Sequence, residues 1–178
     1  MSSQRQQESR AYFELSFEPN VQLINVVRRF VSDFYDEILG DPDVVSRVAL
    51  ATHEMLENAV RYSTDGATRV RLDVAPDEGR SVLTITMQNQ AAPQNREALA
   101  RLFDEMRNAS DPMDHYCAVM RRNAKRTDGS GLGLARIRAE AEMSLDYELS
   151  GDLVTLIART PIEPIVHGPA AAATGSDP

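Results

Sequence analysis

The spacing of apolar residues changes period along this chain in an order that leaves few folds open. Tyr12, Phe13, Leu15 and Phe17, interleaved with Glu14 and Ser16, read as a strand. From Val21 to Leu39 the apolar positions Leu23, Val26, Val27, Phe30, Val31, Phe34 and Ile38 fall at helical spacing, with Asn20 as a cap and Gly40 as a stop. Asp41-Pro42, a cap followed by a first-turn proline, opens a second helix to about Tyr62. Val70, Leu72 and Val74, then the run from Val82 to Met87, alternate about Asp77-Glu78-Gly79 and read as a hairpin. Residues 95–107 and 113–126 read as one or two helices, and Gly129 to Gly133 opens another to about Met143. Leu145 to Leu149 and Leu153 to Ala158 form a last hairpin, turning at Ser150-Gly151-Asp152. Strands and helices do not alternate regularly, which favours an α+β sandwich over a doubly wound fold. The class is α+β: a two-layer α/β sandwich, with a mixed, mostly antiparallel sheet and helices on one face. Residues 1–10 read as a flexible N-terminus, 11–160 as one domain, and 161–178, with four of the nine prolines and the Ala170–Ala173 run, as a disordered tail.

A chain of 178 residues can bury a core without a disulfide or metal staple. Its 19 basic residues, all arginine except Lys125, stand against 27 acidic ones for a net charge of −8. That balance argues against general binding to nucleic acid or anionic membrane. Cys117 is the one cysteine, so the simplest compartment is a reducing cytoplasm. No stretch approaches the roughly 18 apolar residues of a membrane span, and the polar N-terminus lacks a signal peptide's apolar run.

Two constellations carry chemistry. Gly129-Ser130-Gly131-Leu132-Gly133-Leu134 puts three glycines in five positions ahead of a helix. Such a turn lets the backbone approach a ligand and aims N–H groups and a helix start at an anion. A P-loop would need a lysine here, and the dinucleotide fingerprint would need glycine at 134, where Leu134 stands. In the second helix, Glu54 and Asn58 lie one turn apart on one face, opposite Val45, Val48, Ala49, Thr52, Leu56 and Ala59. Both are hard oxygen donors of the kind magnesium takes. The three histidines have no partner at ligand spacing and read as incidental.

Together, Glu54-x-x-x-Asn58-Ala59 and the later glycine motif resemble the ATP-binding domain of the gyrase/Hsp90/histidine-kinase/MutL superfamily. In length and layout the chain is similar to the short anti-sigma-factor serine kinases of bacteria, over roughly Tyr12 to Thr160. The resemblance implies a Bergerat-type fold. It implies that Glu54 orients or deprotonates an attacking hydroxyl, that Asn58 binds magnesium, and that Gly129, Ser130, Gly131, Leu132 and Gly133 wrap the triphosphate of ATP. The family's adenine-binding aspartate and the glycine after it are replaced by Asn89 and Ala91. The expected threonine of the last strand falls near Leu153, which lacks a hydroxyl, or Thr155. Arg121, Arg122, Lys125 and Arg126 of the helical insert lie where they could reach a triphosphate, or form an ordinary helix C-terminus. The implied activity is serine/threonine phosphorylation of a small partner in a partner-switching system. The partner would be a STAS-type antagonist, a sigma factor or a phosphatase system, and the protein itself a possible homodimer. The alternatives are a catalytically inactive module that sequesters a partner, or a histidine-kinase catalytic half acting in trans.

Overall fold

A computed structural model of the chain describes residues 11–18, 20–77, 80–124 and 131–163. The segments read as flexible ends, 1–10 and 164–178, lie outside the described residues, as do Lys125, Arg126, Gly129 and Ser130.

Local chemistry sets the helix ends. Asn20 Oδ1 accepts from Leu23 N at 3.0 Å and starts α1 (Val21–Leu39), which Gly40 closes in the left-handed region at φ +61°. Asp41 caps α2 (Pro42–Tyr62) by accepting from the amides of Asp43 and Val44. That helix leads directly into β2 (Ser63–Asp77), which pairs antiparallel with both β1 (Ala11–Phe17) and β3 (Arg80–Ala91). The insert is two helices, α3 (Pro93–Asn108) and α4 (Pro112–Asn123), the second capped by Asp111 onto Asp114 N. After the glycine motif, α5 (Leu132–Ala139) ends earlier than the expected Met143, and Glu142 turns the chain at φ +52° into β4 (Ser144–Ser150). The last strand, β5 (Leu153–Ile162), outlasts the expected Ala158. Pro161 and Ile162, read above as the start of the tail, are in the sheet, where Ile162 pairs with Ser81 and is buried.

All pairings in the five-stranded sheet are antiparallel, in the order β1-β2-β3-β5-β4. Val70, Leu72 and Val74 lie opposite Met87, Ile85 and Leu83, which in turn face Leu156, Ala158 and Thr160 across β5. This inner face meets α2 through Val48, Met55, Leu56 and Ala59, all essentially inaccessible. Each fully buried aliphatic side chain of this kind contributes roughly 1.5–3 kcal/mol. α1 packs beside α2 through Ile24, Val27, Val31 and Tyr35, and its Phe30 and Phe34 meet Phe13 of β1, so both helices lie on the same face of the sheet. Burying that face of α2 turns Glu54 and Asn58 toward α5. The expected two-layer α/β sandwich is the fold found, with an entirely antiparallel sheet. Among the described residues no helix is long and apolar enough to cross a membrane.

Candidate functional site

Glu54 is a buried carboxylate held from two sides. It is nine-tenths buried, and its Oε1 accepts from Arg136 Nη1 at 3.0 Å. Its Oε2 lies 2.6 Å from the point a Cβ on Gly133 would occupy, so only glycine allows the helix start to come this near the carboxylate. Gly131 serves differently. It is the N-cap of α5 at φ +84°, and a Cβ there would meet Leu102 Cδ1 at 2.9 Å. One motif thus contains a glycine required by approach and a glycine required by conformation.

Asn58, one turn beyond Glu54, lies where two spaces meet. A cleft of about 520 Å³ runs past Glu54, Asn58, Gly131, Gly133 and Arg136. A narrower, mostly apolar cavity of about 100 Å³ continues from Asn58 to Asn89 on β3. Asn58 Nδ2 is buried with no hydrogen-bond partner among the described residues, a donor that an anion in the cleft would satisfy while Oδ1 faced a cation. Asn89 Nδ2 donates to Gln90 O at 3.1 Å, which leaves its oxygen as the acceptor on the cavity wall. Among the described residues no three His, Cys, Asp or Glu side chains gather as a metal cluster. A magnesium ion at Asn58 would therefore take its other ligands from phosphate oxygens and water. The donor set and the glycine approach fit a nucleotide with its metal.

The last strand and the insert held two points that the sequence left open. Thr155 pairs with Gln88 in register and accepts from Gln88 Nε2 at 3.2 Å, on the face away from the helices. The cavity wall is formed instead by Val154 and Leu156. Side chains of a strand alternate between faces, so 155 cannot share the face of 154 and 156. Leu153 is partly exposed and also lies outside the cavity. In the insert, Arg122 is engaged by Glu105 at 3.0 Å, and the contribution to the cavity is apolar: Leu99 and Leu102 of α3 close it. Arg96 fastens the near end of α3 by donating to Ala91 O at 3.1 Å and pairing with Asp152, whose own carbonyl accepts from Ala91 N.

Sequence reasoning passed over three residues. Arg136 joins Glu54 to Glu140, donating from Nε to Glu140 Oε2 at 2.7 Å. The Glu140 bond first, and then the Glu54 bond, hold its guanidinium firmly protonated. Tyr116 of α4 faces Glu140, and burial followed by that carboxylate pushes its phenol above the ordinary range. The insert therefore communicates with Glu54 through a short polar chain. His53 pairs with Glu57 at 3.2 Å and takes no part in it.

A carboxylate and a carboxamide one helical turn apart thus face a glycine-rich helix start across a cleft on the helical side of the sandwich. The chain belongs to the histidine kinase-like ATPase domain family, whose pattern matches residues 17–157, and so to the wider gyrase/Hsp90/histidine-kinase/MutL superfamily. Its fold is similar to that of a chain in the crystal structure of the SiaB–SiaC complex from Pseudomonas aeruginosa. The two are 16% identical, with a TM-score of 0.54 over 84% of this chain and 89% of the other. Comparison with curated proteins gave no match.

Proposed function

We propose that this protein is a cytoplasmic regulator that binds Mg-ATP and phosphorylates a Ser or Thr of a small protein partner. The observation that carries the reading is the Glu54–Asn58 pair facing Gly131 and Gly133 across one cleft. Bound Mg-ATP supplies the phosphoryl group and neutralises its charge. Asn58 would hold the metal through Oδ1, and the backbone amides at the start of α5, with Gly129 and Ser130 ahead of them, would hold the phosphates. Asn89 would accept the adenine amino group. Glu54 would orient the acceptor hydroxyl and take its proton as the new O–P bond forms and the bond to the ADP oxygen breaks. The fold match to a chain from a two-protein complex supports a protein partner, for which a STAS-type antagonist, a sigma factor or a phosphatase system are the candidates.

The test is calorimetry with Mg-ATP, followed by labelled ATP with candidate partners. Asn58→Ala is expected to weaken magnesium-dependent ATP affinity at least about tenfold, since even indirect loss of metal support costs about 10–100-fold. Undiminished affinity would remove Asn58 from the site. Asn89→Ala is expected to narrow the preference for ATP over GTP by roughly two- to tenfold, the worth of one neutral hydrogen bond. An unmoved ATP/GTP ratio would place the base elsewhere.

One observation favours a second reading. The cavity's volume of about 100 Å³, with Leu99 and Leu102 of α3 on its wall, is below the roughly 300–1,000 Å³ usual for ligand sites. A module that keeps α3 closed would sequester its partner without turnover. Labelled phosphate reaching the partner decides for the kinase, and stable complex formation without label decides for the module.

A further inference from the structure

The Glu54–Arg136 pair is a poor arrangement for a carboxylate that must receive a proton. Oε1 is occupied by a guanidinium donor, and Oε2 takes the space that a side chain at Gly133 would need. Arg136 is the less fixed partner. Its side chain is 40% exposed against 11% for Glu54, and it lies on the wall of the cleft that also holds Asn58, Gly131 and Gly133. Arg61 also lines this cleft, with its guanidinium over the Tyr62 ring, but of the two planar, permanently charged forks, the group best matched to phosphate oxygens, Arg136 is the one bonded to Glu54. Its second anchor, Glu140, keeps Nε engaged at 2.7 Å while Glu54 holds Nη1, so Nη1 can change partner without releasing the whole side chain.

We infer that Arg136 is a phosphate-binding switch, which exchanges Glu54 Oε1 for the terminal phosphate of the nucleotide. This rests on the nucleotide reading above. With Nη1 on Glu54, the arginine neutralises a buried carboxylate that would otherwise be costly to leave unpaired. When the terminal phosphate arrives, it offers a doubly charged acceptor in the same cleft, and the exchange leaves Oε1 open toward the acceptor hydroxyl. ADP lacks the group that triggers the exchange, so Arg136 stays on Glu54 and the site discriminates substrate from product. Tyr116, through Glu140, gives the insert a means of biasing the exchange.

The ratio of ATP to ADP affinity reads this directly, and no transfer activity is needed. Calorimetry with magnesium present should find the ratio about tenfold lower in Arg136→Ala, the loss expected for one charge-assisted contact made to ATP alone. Arg136→Lys, which keeps the charge and loses the fork, should recover part of it and serves as the working variant if Arg136→Ala does not fold. Glu54→Gln should move the ratio the other way, up about threefold, because the arginine leaves a neutral acceptor more readily. The double variant Arg136→Ala, Glu54→Gln should match Arg136→Ala alone, the coupling expected of two groups acting as one. A ratio unchanged in Arg136→Ala or Arg136→Lys, with nucleotide still bound, would overturn the switch and leave the nucleotide reading standing. Failure of the wild-type protein to bind either nucleotide would overturn both.

Discussion

Gly133→Ala is expected to lower phosphoryl transfer at least about 10²-fold and to leave the fold intact. The added methyl would lie 2.6 Å from Glu54 Oε2 and 3.5 Å from Glu54 Cβ and Cδ. A contact at 2.6 Å cannot persist, and the atom that yields is the end of a side chain, so the carboxylate moves and the backbone stays. Displacing Glu54 separates it from Arg136 and carries it from the acceptor position, and misplacement by about 1 Å can itself cost about 10²-fold. The methyl also stands where the helix start must approach phosphate. Stability should change little, because alanine is the better helix residue by about 1 kcal/mol, which offsets part of the strained ion pair. Thermal unfolding read beside a transfer assay separates the effects. A variant with a higher Tm and an undiminished rate would mean that Gly133 has no role in approach. Gly131→Ala makes the useful contrast, since φ +84° makes any side chain there cost about 1–2 kcal/mol by conformation alone.

What could be read from sequence depended on how near the interacting residues lie along the chain. Caps act over two or three residues, so Asn20, Asp41 and Asp111 set helix starts as local rules require. The Glu54–Asn58 face was legible for the same reason, as a spacing of one turn. Sheet order was not, because nothing local says that β3 takes β5 as its neighbour. Which face Thr155 takes follows from the two-residue alternation of a strand, and the pattern of β5 carries that signal: Val154, Leu156 and Ala158 face inward together. Arg136 was invisible because its partner is 82 residues away. In sequence it is one of 18 arginines on a polar helix face, and only the approach forced by Gly133 gives it a role. Leu99, Leu102, Phe103 and Met106 fall at helical spacing on α3. That two of these would close a cavity, while Phe103 and Met106 enter the core, follows from how Arg96 fixes the helix to the turn at Asp152.

Glu54→Gln is expected to reduce transfer by about 10²–10⁴-fold, the usual worth of a positioned general base, with nucleotide binding retained. The amide has the size of the carboxylate, so it can occupy the space against Gly133 that no larger group can share. Its oxygen can still accept from Arg136 Nη1, as Oε1 does at 3.0 Å. What it cannot do is take the acceptor's proton. Removing a buried charge opposite an arginine that keeps Glu140 as a partner leaves that arginine compensated, so the fold loses little. The informative measurement is therefore a pair: transfer of labelled phosphate to the partner, and Mg-ATP affinity on the same sample. Lost transfer with intact affinity assigns the proton to Glu54. Transfer at the wild-type rate would mean that phosphate moves without a base at this position, leaving Glu54 the role of holding Arg136, and the exchange between the two would then govern binding alone.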